Sequence, residues 1–165
     1  MLFLCTGNSA RSQIAEALLN WKGKGRFVAE SAGSRPAPRV NPHAIATLER
    51  HGLAWGGHPP RGLDAVADRR WDIVITVCDN AKESCPLFPG QPALAHWGMP
   101  DPADVTGDPA AIERAFTDTF TVLSRRLDLL LALPLDKLER LMLEQRLRLI
   151  PAEAASAATA GPASA

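Results

Sequence analysis

The stretch Leu2-Phe3-Leu4-Cys5-Thr6-Gly7-Asn8-Ser9-Ala10-Arg11-Ser12 decides the fold of this 165-residue chain. Residues 2–4 are apolar and predict a buried strand, while apolar residues at helical spacing begin after Ser12. A loop between a strand and a helix directs backbone N–H groups and the positive end of the helix dipole towards one point. Such a loop can bind a tetrahedral oxyanion. The residues predicted to bind it are Thr6, Gly7, Asn8, Ser9, Ala10, Arg11 and Ser12.

Cys5 and Arg11 are the residues of this stretch that carry chemistry. The planar guanidinium of Arg11 can bind two oxygens of an anion. The positive field of the loop is expected to lower the pKa of the Cys5 thiol and make it a nucleophile, with a hydrogen bond from Ser12. Gly7 allows close approach of the backbone, and Asn8 can hold the loop shape. A nucleotide phosphate loop is the rival interpretation, but its Gly-Lys-Ser/Thr pattern is absent.

The rest of the chain alternates predicted strands and helices. Strands are predicted over residues 2–4, 27–30, 72–77 and 93–97, and helices over 12–22, 41–51 and 110–133. The β-branched run 72–77 is typical of a parallel strand that is covered on both faces. In the first helix, the apolar face is predicted to consist of Ile14, Ala17, Leu18 and Trp21. The βαβα order predicts an α/β fold with a parallel sheet.

Composition excludes several classes of protein. The 18 Lys+Arg and 18 Asp+Glu give zero net charge, which argues against nucleic-acid binding through bulk charge. The longest apolar stretch, 127–133, is far shorter than the roughly 20 residues of a membrane span, and the apolar start lacks a signal peptide's basic residues. Three cysteines do not fit a closed disulfide framework. We therefore expect a cytoplasmic protein that binds neither nucleic acid nor membrane.

Cys78 and Cys85 follow the strand 72–77, at the same edge of the sheet as Cys5. In a helix the two residues would lie about 10.5 Å apart along the axis, at roughly 1.5 Å per residue. A disulfide needs Cα atoms within about 7 Å. The two are therefore either unrelated structural thiols, or the segment between them unwinds on oxidation. A zinc site is not predicted, because cysteines and histidines lack paired ligand spacing.

Asp101 lies between two prolines in the loop that follows the last predicted strand. Prolines on both sides restrict its backbone, so the carboxyl group would be fixed in place. From there it could reach the anion and protonate a departing oxygen. An Asp-Pro pair alone is usually a turn, and the two other groups of residues favour the catalytic interpretation.

The C-terminal part of the chain carries no motif. Residues 134–150 predict an appended amphipathic helix, which either packs on the core or forms a dimer contact through 135–150. Residues 151–165 are rich in alanine and are predicted to form a flexible tail. We expect a monomer.

Three parts of the sequence together resemble one family. They are residues 3–13, the Cys78-Asp79-Asn80 and Cys85-Pro86 segment, and His96-Trp97-Gly98 leading to Asp101-Pro102. They are similar to thioredoxin-coupled arsenate reductases built on the low-molecular-weight protein tyrosine phosphatase fold, and the resemblance covers about residues 1–133. It implies a three-layer α/β/α domain over 1–133 around a central four-stranded parallel sheet.

The resemblance also implies a thiol relay. Cys5 would attack arsenate held by the loop amides and Arg11, and Asp101 would protonate the departing hydroxyl. Cys78 would then attack the sulfur of the adduct and release arsenite. Cys85 would move the disulfide to the Cys78–Cys85 pair, which thioredoxin reduces; glutaredoxin or a small thiol is the alternative reductant.

No tightly bound cofactor is implied. Some members of the family bind potassium beside the loop, and Asn8, Glu16 and Ser31 match ligand positions. Arg61 stands where an aspartate ligand is expected, so a structural potassium ion is not predicted.

Two other functions stay open. A low-molecular-weight phosphatase acting on phosphotyrosine or small phosphoesters would use Cys5, Arg11 and Asp101 without needing the other two cysteines. A non-enzymatic thiol switch or metalloid-binding module would need Cys78 and Cys85 but neither Arg11 nor Asp101.

Overall fold

The computed structural model describes residues 1–83 and 85–159. Its sheet contains four parallel strands in the order β2-β1-β3-β4, namely β1 (Leu2–Cys5), β2 (Glu30–Gly33), β3 (Ile73–Thr76) and β4 (Ala93–His96). The helices are α1 (Arg11–Lys22), α2 (Pro42–Arg50), α3 (Asp79–Glu83), α4 (Pro109–Leu131) and α5 (Arg140–Thr159). Short 3-10 helices span Leu63–Ala65, Pro102–Asp104 and Leu135–Lys137. The predicted α/β class and four-stranded parallel sheet are confirmed.

The central strands bring two of the three cysteines to one place. All residues of β1 and β3 are buried, as their apolar sequences require. Leu4 pairs with Thr76, and the N–H of Val77 donates to the Leu4 carbonyl at 2.8 Å. The chain therefore leaves both strands side by side, with Cys78 next to the loop that follows Cys5.

Long helices cover the sheet with regular apolar faces. In α4 these buried residues recur at helical spacing: Phe116, Phe120, Leu123, Leu127 and Leu130. The Asp108 side chain accepts from the N–H of Ala110 and caps the start of α4, while Asn41 does the same for His43 in α2. These helices agree with the sequence-based prediction to within a few residues.

The second strand was predicted in the wrong place. Residues 27–29 are not a strand, because Phe27 closes a turn through its N–H to the Gly23 carbonyl and Val28 is 74% exposed; only Glu30 of the predicted strand belongs to β2. Strand β2 lies three residues later, in Glu-Ser-Ala-Gly. Small side chains there carry no apolar signal, yet they let the loop after Cys5 approach the sheet.

The apolar face of α1 also differs from the prediction. Ile14 and Leu18 are buried as predicted, but Trp21 is 59% exposed and Ala17 is only partly buried. Ala15 and Leu19 complete the buried face instead. The face is rotated towards these residues because α1 packs against both β1 and α4.

Helix α5 contradicts the prediction of a tail from residue 151. It continues through Pro151 to Thr159, where alanine favours helix, and residues 160–165 lie outside the described residues. A proline at this position cannot donate to the carbonyl of Leu147, four residues earlier. The indole N–H of Trp97 donates to that carbonyl instead, at 2.9 Å. This bond ties α5 to the end of β4. Among the described residues, no helix is long and apolar enough to cross a membrane.

Candidate active site

Cys5 lies at the end of β1, with its side chain inside the following loop. Its Sγ is 2.8 Å from the Ser12 hydroxyl and accepts the N–H of Asn8 at 3.1 Å. Both contacts stabilise a thiolate. Cys5 is 3% exposed, so the sulfur is removed from bulk water.

Burial decides the direction in which the pKa of the Cys5 thiol shifts. Burial raises the pKa of Cys5, and this effect exceeds the lowering by Ser12, by the Asn8 N–H and by the charge of Arg11. The prediction of a lowered pKa for Cys5 is therefore wrong. The sequence indicates the positive field of the loop, but it does not show how deeply the Cys5 sulfur is buried.

Asn8 holds the loop in shape. Its φ of 48° lies in the left-handed region, which asparagine tolerates better than most residues. The side-chain amide donates to the hydroxyls of Ser12 and Ser31 at 2.9 and 2.8 Å, and its oxygen accepts the backbone N–H of Arg61 at 3.0 Å. At Gly33 an added Cβ would lie 2.4 Å from the carbonyl oxygen of Thr6. The loop is thus fixed against β2.

Segment 34–41 turns the loop carbonyls outward, which the sequence did not reveal. The N–H groups of Ser34, Arg35, Ala37 and Asn41 donate to the carbonyls of residues 5, 6, 7 and 9, at 2.8 to 3.1 Å. Since C=O and N–H point in opposite directions across a trans peptide, the following N–H groups turn to the other side. That arrangement is an anion-binding nest. The Ser9 hydroxyl, by contrast, donates to the Arg39 carbonyl and is turned away from the nest.

Arg11 and Asp101 meet at the mouth of the loop. The buried guanidinium of Arg11 donates to the Met99 carbonyl at 3.0 Å and to Asp101 Oδ2 at 2.5 Å. The second carboxylate oxygen of Asp101 accepts the N–H of Ala103 at 3.1 Å, which caps the short helix beginning at Pro102. The structure therefore brings Asp101 to the anion loop, residues 5–12, and pairs it with Arg11.

Two of the three cysteines lie at the loop and the third lies further away. Cys78 is buried, and its Sγ is 3.3 Å from the Thr6 hydroxyl. Cys85 is partly buried beyond α3, where its Sγ lies 3.7 Å from the Pro86 carbonyl. Burial raises the pKa of Cys85. All three thiols are free, and five-residue α3 occupies part of the segment between Cys78 and Cys85.

The residues beside the loop do not fit a potassium ion. Glu16 accepts hydrogen bonds from Ser31 at 2.6 Å and contacts His58 Nε2 at 3.1 Å, while Asn8 Oδ1 already accepts from Arg61. The Arg61 side chain donates to the Ser31 carbonyl at 2.9 Å. The oxygens that would surround a cation are therefore occupied by N–H and O–H donors of the chain itself. In the described ranges, no three His, Cys, Asp or Glu residues are grouped as metal ligands.

Known proteins are similar to this chain in sequence and fold. A protein of Staphylococcus epidermidis described as arsenate reductase 2 is 37% identical over 103 residues, which cover 61% of this chain and 76% of that protein. The solved arsenate reductase of Archaeoglobus fulgidus has a TM-score of 0.60 at 31% identity and covers 77% of this chain and 98% of that chain. A thioredoxin-dependent arsenate reductase of Corynebacterium glutamicum has a TM-score of 0.54 at 29% identity, covering 78% of this chain and 61% of that one.

The family described as low molecular weight phosphotyrosine protein phosphatase matches residues 1–146. This range contains β1 to β4, the anion loop and all three cysteines. The chain belongs to the low molecular weight phosphotyrosine protein phosphatase family.

Proposed function

We propose that this protein is an arsenate reductase that uses Cys5, Cys78 and Cys85 as a thiol relay and an external dithiol protein as reductant. The observation that carries the proposal is the position of Cys78, whose Sγ lies 3.3 Å from Thr6 at the edge of the loop that holds Cys5. Hydrolysis of a phosphoester through Cys5 does not require a second thiol there. The similar proteins named as arsenate reductases point the same way.

Arsenate would bind in the nest through the loop N–H groups. Its negative charge competes with Asp101 for the guanidinium of Arg11, which lies between the two. Binding therefore releases Asp101 from Arg11 and leaves its carboxyl group beside the anion. From there Asp101 can act as the general acid for a departing oxygen.

In the first step the Cys5 sulfur attacks arsenic(V) and an As–O bond breaks. The departing group is a hydroxyl of arsenate, which leaves as water after taking the proton that Asp101 supplies. A covalent Cys5–arsenic adduct remains. Ser12 and the Asn8 N–H hold the attacking sulfur in position.

In the second step the Cys78 thiolate attacks the Cys5 sulfur. A disulfide forms, the S–As bond breaks, and its electron pair stays on arsenic, which leaves as arsenite with arsenic(III). Two thiols have thus supplied the two electrons. Cys85 then attacks Cys78 and displaces the Cys5 thiolate, so that the disulfide moves to the Cys78–Cys85 pair.

The transfer to Cys85 requires α3 to open. Residues 79–83 are helical here, and burial raises the pKa of Cys85, which makes it a weak nucleophile at neutral pH. Unwinding would expose the thiol and remove that effect. The same opening presents the final disulfide to thioredoxin, which is the reductant named for the similar Corynebacterium glutamicum protein.

One coupled assay tests the proposal. Arsenate is supplied with thioredoxin, thioredoxin reductase and NADPH, and NADPH oxidation is followed for the unaltered protein, Cys78→Ser and Cys85→Ser. We expect turnover for the unaltered protein only, with Cys85→Ser releasing arsenite once. Replacing thioredoxin by glutaredoxin with glutathione identifies the reductant. Multiple turnovers by Cys85→Ser with thioredoxin would contradict the relay.

Phosphatase activity is the second candidate, because Cys5, Arg11 and Asp101 could also cleave a phosphoester. Residues 103–105 after Asp101-Pro102 are Ala-Asp-Val, which offer no aromatic ring to hold a phosphotyrosine side chain. We therefore expect weak hydrolysis of an aryl phosphate. Brisk hydrolysis without arsenate-dependent NADPH oxidation would favour the phosphatase.

We further propose a monomeric protein of a reducing compartment such as the cytoplasm, with no tightly bound cofactor. Leu147 and Ile150 of residues 135–150 pack within the chain's own core, while Leu141, Met142 and Leu149 of the same segment are exposed. Three free thiols suit a reducing compartment. Light scattering tests the monomer, and equal activity in potassium and sodium buffers tests the absence of a potassium requirement.

A further inference from the structure

We propose that His96 is a positioning residue for the relay, because its imidazole fastens the start of α3 to the end of β3. The fastening keeps Cys78 beside the anion loop until it has reacted. The inference rests on the relay proposed above. It assigns a role to the His96-Trp97-Gly98 motif, which takes part in none of the reaction steps described there.

The imidazole of His96 bridges two elements. Its Nδ1 lies 2.8 Å from the hydroxyl of Thr76, the last residue of β3, and its Nε2 lies 2.9 Å from Asp79 Oδ1, the first residue of α3. A carboxylate only accepts hydrogen bonds, so Nε2 carries the proton and donates to Asp79. Cys78 lies between these two anchors in the chain.

Gly98 and Trp97 keep the imidazole ring of His96 in position. An added Cβ at Gly98 would lie 2.6 Å from His96 Nε2 and 3.3 Å from Asp79 Oδ1, so only glycine leaves room for the bond. Trp97 is fully buried and donates to the Leu147 carbonyl, while its own carbonyl accepts from Arg126 at 2.7 Å. The backbone next to His96 is therefore fixed by the two hydrogen bonds of Trp97.

Helix α3 has little else to hold it. It has five residues, of which only Ala81 is buried, and helices of this length are marginal without tertiary contacts. The side chain of Asp79 is 89% exposed and contacts His96. Loss of this contact would allow α3 to open early and Cys78 to leave the loop before the Cys5 adduct forms.

The two hydrogen bonds of His96 have opposite effects on the two halves of the relay. They favour the attack of Cys78 on the Cys5 adduct, because Cys78 must lie at the loop. They oppose the later attack of Cys85, because that step needs α3 open. Breaking them should slow arsenite release and speed the transfer of the disulfide to Cys85.

A single-turnover experiment tests this with His96→Ala, His96→Gln and Asp79→Asn, and with Glu83→Gln as the control on the same helix. Arsenite release and the Cys78–Cys85 disulfide are followed by quenching with an alkylating reagent and mass spectrometry. For His96→Ala we expect arsenite release to slow roughly three- to tenfold, the scale of one hydrogen bond, with lower hydrogen-exchange protection over 79–83. His96→Gln, whose amide can donate to Asp79 and accept from Thr76, should restore most of the rate.

Three outcomes decide the matter. Slower release with an unchanged rate of Cys5 alkylation and rescue by His96→Gln supports the positioning role. Release and protection of His96→Ala equal to those of the unaltered protein overturn it. If Cys78→Ser releases arsenite as fast as the unaltered protein, the relay itself is wrong, which separates failure of the proposed function from failure of this inference.

Discussion

The guanidinium of Arg11 and the carboxylate of Asp101 form an ion pair, with 2.5 Å between Nη2 and Oδ2, at the mouth of the anion loop. The two groups to which we assign opposite tasks in the reaction thus neutralise each other's charge. In the proposed mechanism an incoming oxyanion replaces Asp101 as the negative partner of Arg11. The same exchange would free the acid only when there is a substrate to protonate.

Asp101→Asn separates these two tasks. Without the carboxylate charge, Arg11 is freer to bind an anion, so the dissociation constant of phosphate should fall by roughly three- to tenfold. Turnover with arsenate should fall by about a hundredfold or more, because no group protonates the departing oxygen. Calorimetry and the coupled assay give the two values. Asp104→Asn, in the same short helix, is the control and should change neither; weaker phosphate binding by Asp101→Asn would contradict the exchange.

The raised pKa of Cys5 predicts how its reactivity depends on pH. Alkylation of Cys5 in a Cys78→Ser/Cys85→Ser background should continue to rise with pH beyond the range of an ordinary thiol, because burial disfavours the thiolate. Ser12→Ala should move the profile to still higher pH, since it removes a hydrogen bond that stabilises the charged sulfur.

The same shift affects stability. Because the folded thiol has the higher pKa, its contribution to stability is complete below the pKa of the unfolded thiol and is lost as the pH rises through the folded value. Urea unfolding at several alkaline pH values should show this loss in the unaltered protein and a smaller one in Cys5→Ser. If alkylation of Cys5 instead rose at a lower pH than alkylation of a free thiol, burial would not be the dominant effect on the pKa of Cys5.

Gly33→Ala should damage the loop through its backbone. The added Cβ would lie 2.4 Å from the Thr6 carbonyl oxygen, and neither β1 nor β2 can move without breaking the sheet. Phosphate binding should be lost and the midpoint of urea unfolding should fall. Gly56→Ala is the matched control, because nothing lies within 4 Å of its added Cβ. Equal phosphate affinity in both variants would show that the loop does not depend on this close approach.

The bond between Trp97 and Leu147 predicts non-additive mutations. Trp97→Phe leaves the Leu147 carbonyl buried without a donor, which costs about 1–3 kcal/mol in addition to lost packing. Pro151→Ala supplies a backbone N–H four residues after Leu147. The cost of Trp97→Phe should therefore be about 1 kcal/mol smaller in the Pro151→Ala background. Urea unfolding of the four proteins measures the difference; strictly additive costs would mean that the helix does not recover its bond.

Sequence revealed those parts of the fold and site that lie within short, regular stretches. Strands β1 and β3 are continuous apolar runs, α2 and α4 have caps and regular apolar spacing, and Cys5 and Arg11 lie within one loop. Strand β2 gave no such signal, because its Ser-Ala-Gly residues are small and carry no apolar run, and Gly33 lies against the Thr6 carbonyl of the loop.

Contacts between distant segments could not be predicted in the same way. The pair Arg11–Asp101 joins residues 90 apart in the chain, and the depth of Cys5 results from the whole loop packing on β2. His96 and Asp79 are 17 residues apart and meet only because β3 and β4 are neighbours. The helix beyond Pro151 was missed because its broken backbone bond is replaced by a bond from the side chain of Trp97, the residue after β4.

Segment 34–41 contacts the anion loop through main-chain N–H groups, and the exposed side chains of Arg35 and Arg39 take no part in those bonds. The side chains at positions 35 and 39 can therefore change while the nest keeps its shape. Random substitution at these two positions offers a library in which surface charge and size behind the loop vary over a constant reaction centre. Selection from it for other tetrahedral anions would retune preference without rebuilding catalysis.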